Sequence, residues 1–196
     1  MLHTIDTVET DTYRVGIGYD TNPFNPREDD NLGTMVCSHR RYDLGDEVAQ
    51  NLDDYTSWDE WREGEVPADA IVVLPLGLYD HSGISMFVGT KGGGVHAAWD
   101  SGQVGWVYAT PADCERMGSP TDPESVERIL RGEVETYDAY LRGEVYGYTV
   151  SKVSECECCN HKEYEHQTSV GGFYTYEDAR DCARDEVDDA TAEIIK

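Results

Sequence analysis

The chain has 196 residues, of which 39% are hydrophobic, and its 40 acidic and 15 basic side chains give a formal net charge of −25. This length and its 20 aromatic residues argue against an intrinsically disordered chain and suit one folded domain. The charge argues against binding DNA or an anionic membrane through a basic patch, because the longest basic run is Arg40-Arg41.

The first half of the chain predicts mostly strands. Alternating or β-branched apolar residues indicate strands over residues 13–20, 34–37, 70–79, 84–88 and 103–110. Pro75 removes one backbone donor from the most apolar of these strands, which suggests a sheet edge or a bulge there. The acidic, Trp-containing residues 46–63 are expected to be helical in two pieces, with a break near residues 56–57.

The second half predicts a long helix that starts after Asp122, which is a good N-cap, and ends at Gly143. Its apolar stripe has helical spacing: Val126, Ile129, Leu130, Val134, Tyr137 and Leu141. Strands over residues 145–153 and 171–174 flank a Cys-rich turn. A closing helix follows Thr175, with a capping-box-like start and an inner face made by Ala179, Cys182, Ala183, Val187, Ala190 and Ile194.

Strands mostly follow strands in this order, and the helices come in separate runs. The predicted fold class is therefore α+β, with a mainly antiparallel sheet and helices packed on one face. We expect a single domain over residues 1–196, with a Cys/His-rich hairpin insertion over residues 154–169.

Four blocks of the sequence carry a resemblance to a known group of proteins. They are DNLGTMVCSHRRYDLGD (30–46), LPLGLYDHSG (74–83), WDSGQVGWVY (99–108) and EVETYDAYLRGEVYGY (133–148). In this order they resemble a family of acidic accessory proteins from phages, plasmids and other mobile elements. The resemblance implies a viral or plasmid origin and a role inside an infected cell. It does not imply any particular biochemical activity. The chain departs from the pattern at residues 90–98 and 154–169.

The segment ECECCNHKEYEH (155–166) is the strongest chemical signal. It holds five side chains of the types that bind zinc: Cys156, Cys158, Cys159, His161 and His166. A structural zinc ion takes four such ligands in a tetrahedron, and a hairpin tip can supply them from both of its sides. The spacing is not a standard C-x2-C knuckle, so an exposed hairpin with incidental thiols, or with one local disulfide, stays open as the alternative.

A second cluster lies near residues 37–43. Cys37 and His39 could act as nucleophile and base, with Asp43, Asp80 or Asp100 orienting the imidazole. We favour a structural explanation, in which the adjacent arginines pair with carboxylates. The polar turns after two predicted strands could join this cluster in one pocket, which is the best place for a ligand and would suit an anion. The candidate residues are His39, Arg40, Arg41, Asp80, His81 and Asp100.

The acidic residues are spread evenly, with 19 in residues 1–100 and 21 in residues 101–196, so no acidic tail explains the charge. Two explanations remain. One is a surface that imitates nucleic acid, and the other is adaptation to very high salt, where self-repulsion is screened. The scarcity of Lys, with 4 against 11 Arg, fits a halophilic host.

We expect no transmembrane helix and no secretory signal, and so a cytoplasmic protein of the host cell whose cysteines are thiols or ligands. The leading hypothesis is a non-enzymatic accessory protein of a virus or mobile element. It would bind a host or viral protein, for example as a nucleic-acid-mimicking inhibitor of a defence enzyme. The alternatives are a small hydrolase or transferase that uses the Arg/His/Asp pocket, or a virion component of a halophilic virus. The oligomeric state stays open.

Overall fold

The fold is described from a computed structural model, for residues 2–90 and 101–195. The chain divides into two compact units. The terminal unit combines Met1–Phe24 with Gly143–Lys196, and the central unit is Asn25–Arg142. Each unit has its own sheet, so the two ends of the chain meet in one sheet and the middle builds the other.

The described residues form nine strands and five helices. The strands are β1 (Leu2–Glu9), β2 (Tyr13–Asp20), β3 (Thr34–Cys37), β4 (Glu47–Val48), β5 (Val72–Asp80), β6 (Ile84–Val88), β7 (Ser101–Ala109), β8 (Tyr146–Glu155) and β9 (Lys162–Phe173). The helices are α1 (Trp58–Glu65), α2 (Pro111–Met117), α3 (Pro123–Arg142), α4 (Tyr176–Asp185) and α5 (Asp189–Ala192).

The terminal unit is a four-stranded antiparallel sheet in the order β1-β2-β8-β9, with α4 packed against it. Alternate residues of the inner strands β2 and β8 point towards α4, as the two-residue period of a strand requires. Together with α4 and the C-terminal segment they form a small core of Val15, Ile17, Tyr148, Val150, Ala179, Ala183 and Ile195.

The central unit is a five-stranded sheet in the order β4-β3-β7-β5-β6, in which only the short β3–β4 pair is parallel. Helix α3 packs on this sheet and supplies its apolar stripe to the main core. The Asp122 carboxylate accepts a hydrogen bond from the Ser125 N–H at 2.9 Å, and Gly143 follows the helix at a φ of 71°. Both ends of α3 are therefore capped as the sequence predicts.

The structure confirms the α+β class and the strands and long helix predicted over most of the chain. It differs in having two sheets where one was expected. The prediction of a single domain over 1–196 stays a prediction, although the chain divides into two compact units. Within the described residues, none of the helices combines the length and apolar character needed to cross a bilayer.

Several local predictions need correction or qualification. The prediction of an edge or a bulge at Pro75 holds locally: among the described strands, β5 pairs with β6 only from Leu76 onwards, and its register with β7 shifts between Leu76 and Gly77. Residues 46–63 do hold two helical pieces separated at residues 55–57, but the first is only a 3-10 turn (Leu52–Asp54), and the short strand β4 precedes it.

Cys182 is exposed and not on the inner face of α4, which Ala179 and Ala183 form. Ala190 and Ile194 are exposed too, because the helix breaks after Asp185 and its period does not continue; Thr191 and Ile195 are buried instead.

Candidate functional site

The tip of the β8–β9 hairpin holds the Cys-rich turn and confirms the predicted Cys-rich hairpin. The N–H of Cys156 donates to the carbonyl of His161 at 2.9 Å, and the N–H of Asn160 donates to the carbonyl of Cys156 at 2.8 Å. Asn160 has a φ of 54°, a left-handed conformation that Asn tolerates better than most residues. These bonds close the turn, so that its thiols crowd together at the end of the hairpin.

Three thiols lie together at this tip. The sulfur atoms of Cys156, Cys158 and Cys159 are all within 4.8 Å of one another, and those of Cys156 and Cys158 are 3.0 Å apart. Hydrogen bonds from Cys158, and then from Cys159, lower the pKa of Cys156 to about 7. The same contacts raise the pKa of Cys158, because its proton is held between sulfur atoms. Cys156 is therefore the thiol of the tip that ionises most readily, and this cluster could hold a metal ion.

The two histidines predicted as ligands are not part of the three-thiol cluster. His161 is next to the turn, but only its backbone carbonyl contacts Cys156. His166 pairs with Ser151 in the β8–β9 ladder, four strand steps beyond Lys162, which is ~13 Å along the strand at ~3.3 Å per residue. His166 therefore lies outside the three-thiol cluster, and its role as a zinc ligand stays a prediction. The sequence suggested His166 because it is close to the cysteines along the chain. In an extended strand, however, the same number of residues spans a larger distance than in a turn.

A pocket of about 540 Å³ lies in the central unit where β3, β5 and β7 end. Its lining residues are Ser38, His39, Arg40, Arg41, Leu78, Asp80, Ser101, Gly102, Gln103 and Val104. Four of the six residues predicted for a ligand pocket are therefore brought together. His81 lies just beyond, in the turn between β5 and β6, and Asp100 falls outside the described residues.

Asp80 organises one wall of this pocket. It accepts a hydrogen bond from the Arg41 guanidinium, and this bond is the main reason why the pKa of Asp80 is lowered. The Nδ1 atom of His39 accepts the Arg41 backbone N–H at 3.3 Å, so in the neutral ring Nε2 carries the proton, and Nε2 lies 3.8 Å from Asp80. The His39 ring also stacks on Tyr42, with ring centres 5.0 Å apart. These hydrogen bonds and the ring stacking hold the side chains of this wall in place.

The structure contradicts a nucleophile at Cys37. The Cys37 side chain is 2% exposed in the main core, and burial, assisted by the charge of Asp46, raises its pKa to about 12. A thiol acts as a nucleophile through its thiolate, which Cys37 does not form near neutral pH. The structural explanation for this segment is supported at Arg41, which pairs with Asp80 as expected.

A buried ion network was missed by the sequence analysis. The Arg27 side chain is 2% exposed and donates to both carboxylate oxygens of Asp46, at 2.8 and 2.6 Å, and to Glu133 at 3.1 Å. Glu133 in turn accepts the N–H of Leu32, and Asp46 that of Met35. Burial by itself lowers the pKa of Arg27, but the bonds and charges of Asp46 and Glu133 outweigh it and raise this pKa. The network ties the loop before β3 to helix α3.

Both units carry the acidic character of the chain. The terminal unit has 17 acidic and 6 basic residues, and the central unit has 23 acidic and 9 basic residues. On α4, the exposed residues Glu177, Asp181 and Asp185 follow one another at intervals of four and so share one face, here called the α4 acidic face. The excess of acidic residues is thus shared by both units and is not confined to one segment.

Comparison with known protein families, with curated proteins and with solved structures finds no match to this chain. The predicted membership of a mobile-element family therefore stays a prediction.

Proposed function

We propose that this chain is a non-enzymatic accessory protein of a virus or another mobile element, which binds a host or viral protein through its acidic surface. The observation that carries the proposal is the excess of acidic residues on both units, 17 against 6 and 23 against 9. The six cysteines are all free, which supports work in the reducing interior of a host cell.

The chemistry of the central unit supports a binding protein over an enzyme. The thiol of Cys37 is buried and protonated, and the Asp80 carboxylate is engaged by Arg41, which disfavours it as a base. A small hydrolase or transferase is the alternative, since the pocket does bring His39 and Asp80 within 3.8 Å. If replacing Arg41 and His81 with Ala left the fold and the biological effect intact, the enzyme hypothesis would be refuted.

The concrete form of the proposal is an inhibitor that imitates nucleic acid. Proteins that bind DNA present basic surfaces to its phosphates, and such a surface also attracts a dense array of carboxylates. The α4 acidic face places three carboxylates on a rigid element, where Asp181 is also paired with Arg180 at 2.9 Å. Binding of this kind weakens steeply with salt and competes with DNA, which gives two measurable signatures.

The experiment is a competition assay with purified host nucleases that bind heparin. The chain is expected to displace labelled duplex DNA from at least one of them. A variant that neutralises the α4 acidic face, E177Q/D181N/D185N, is compared with D53N/D59N/E63Q, which makes the same charge change on exposed residues of the central unit. One variant should displace less DNA than the other, and the position of its substitutions then shows which acidic surface binds the nuclease. Failure to displace DNA from any nuclease at any ionic strength would refute mimicry.

A second candidate function is a virion component whose acidity is adaptation to a halophilic host. Salt adaptation, which acts on all surfaces, would also produce an acidic excess on both units, so this excess is compatible with both functions. Purified virus particles decide between the two: a virion component copurifies with them in fixed proportion, and an intracellular inhibitor does not.

We further propose that the hairpin tip binds a structural zinc ion. Zinc prefers thiolate ligands, and three thiols already lie within 4.8 Å of one another. Cys156, whose pKa is about 7, gives up its proton to a cation most readily. His161, which follows the turn directly, is the proposed fourth ligand.

Metal analysis tests this proposal on the full chain. Purified protein is expected to bind one zinc ion per chain, and C158S should lose it, whereas C182S, which removes an exposed cysteine outside the cluster, should keep it. H161A should weaken zinc binding and H166A should not. Equal zinc content in all four variants would refute a site at the tip.

A further inference from the structure

Arg40 lies exposed in the pocket next to Arg41, and it has no ion-pair partner among residues 2–90 and 101–195. Acidic residues outnumber basic ones by 40 to 15, so carboxylates are abundant on this surface. Arg27 and Arg41 both pair with carboxylates. Within the part of the chain that the structure describes, the Arg40 guanidinium also donates no hydrogen bond, so it can bind a ligand.

The charges that line the described pocket add up to a positive site on a negative molecule. Arg40 and Arg41 contribute two positive charges, and Asp80 contributes one negative charge. The hydrogen bond to Asp80 also holds the Arg41 guanidinium, which lies over the Tyr42 ring at 5.3 Å. One arginine is thus pre-oriented, and the neighbouring one is free to close on a ligand. Such a pair suits an oxyanion, because guanidinium groups bind phosphate and carboxylate through paired hydrogen bonds.

The pocket also has an apolar floor. Leu78 on β5 and Val104 on β7 line it; they are 2% and 5% exposed and pack mainly in the core, so they offer a small apolar surface. Polar atoms of Ser38 and Gln103 complete the lining. A volume of about 540 Å³ is within the range of small-molecule sites and is larger than an inorganic anion needs. The lining therefore suits an organic molecule that carries one anionic group.

We propose that this pocket binds a small organic ligand through its phosphate or carboxylate group, with Arg40 as the principal anion-binding residue. Arg41 and His39 define the polar wall, and Leu78 with Val104 contacts the body of the ligand. The site is independent of the proposed acidic binding surface and of the metal at the hairpin tip, so it stands whether or not those proposals fail.

The test is a titration followed by two-dimensional amide NMR at constant ionic strength, with phenyl phosphate, benzoate, inorganic phosphate and phenol as probes. Phenyl phosphate or benzoate should give saturable shifts confined to residues 38–42, 78–80 and 101–104. The stronger of the two identifies the anionic group. Inorganic phosphate should bind more weakly because it lacks the apolar body, and phenol should bind more weakly because it lacks the charge.

Variants separate the site from general charge effects. Arg40→Gln should weaken binding of the preferred probe about tenfold or more, since it removes a charge-assisted hydrogen bond. Arg40→Lys keeps the charge but not the paired donors, and should give a smaller loss. Arg184→Gln makes the same charge change on exposed α4 and should leave the affinity unchanged. Equal losses in Arg40→Gln and Arg184→Gln, or shifts scattered over the surface, would overturn the proposal, as would no saturable binding of either organic anion.

Discussion

The Arg27 network makes a strong prediction about stability. Replacing Arg27 with Met keeps most of the apolar side-chain volume but removes the guanidinium, which leaves the carboxylates of Asp46 and Glu133 facing each other. Their side chains are 22% and 13% exposed, so water reaches them only in part. Both also hold backbone N–H groups in place, so their repulsion would disturb the chain around β3.

Breaking a buried ion pair by removing one partner costs about 3–5 kcal/mol. Because both carboxylates keep some contact with water, we expect Arg27→Met to lie near the lower end, at about 3 kcal/mol. The assay is urea unfolding followed by tryptophan fluorescence. All four tryptophans belong to the central unit, so the signal reports on the unit that contains the network.

Two further variants control this measurement. Arg131→Ala breaks an exposed pair with Glu127 on α3 and should cost less than about 1 kcal/mol. The triple variant R27M/D46N/E133Q removes all three charges and should recover part of the stability lost by Arg27→Met. If Arg27→Met cost no more than Arg131→Ala, or if the triple variant were less stable than Arg27→Met, the account of a buried charge cluster would be wrong.

Three other predictions follow from local contacts. Alkylation of Cys156 by iodoacetamide in metal-free protein should reach half its maximal rate near pH 7, and Cys158→Ala should move this midpoint upwards because the main hydrogen bond to the thiolate is lost. Arg41→Gln should raise the pKa of Asp80 in an NMR titration, because the Arg41 hydrogen bond lowers that pKa. The contribution of this hydrogen bond to folding stability is therefore present at neutral pH and is lost as the pH falls through the folded-state pKa of Asp80. Gly105→Ala should destabilise the central unit by about 1–3 kcal/mol in urea unfolding, because a Cβ there would overlap a backbone carbonyl of β3.

Much of the fold could be predicted because its signals are local. Strands β2 and β3 have the predicted bounds, and helix α3 begins and ends at its predicted caps. The turn at Cys156 to Asn160 was also predictable, since the density of thiols in a polar segment between two strands indicates a hairpin tip. Short-range periodicity and capping are sufficient in these cases.

The remaining features depend on partners far apart in the chain. Arg27 meets Asp46 and Glu133 at separations of 19 and 106 residues, and nothing around Arg27 distinguishes it from other polar loop residues. Strand β1 was missed because Leu2 to Glu9 is mostly exposed and has little apolar alternation; its pairing with β2 defines it. His166 was assigned to the metal site by its proximity in sequence, whereas in the extended strand β9 it pairs with Ser151, away from the three thiols.

The central claim is that the acidic surface binds a protein, and the salt dependence of the dissociation constant tests it most directly. The dissociation constant of the complex between the chain and the nuclease from which the chain displaces DNA is measured between 0.1 and 1 M NaCl. Over this range the electrostatic screening length falls from about 10 to about 3 Å. The account predicts steep weakening with salt and a shallower dependence for either the E177Q/D181N/D185N variant or the D53N/D59N/E63Q variant. An affinity that is independent of salt, or the same slope in both variants as in the unmodified chain, would contradict it.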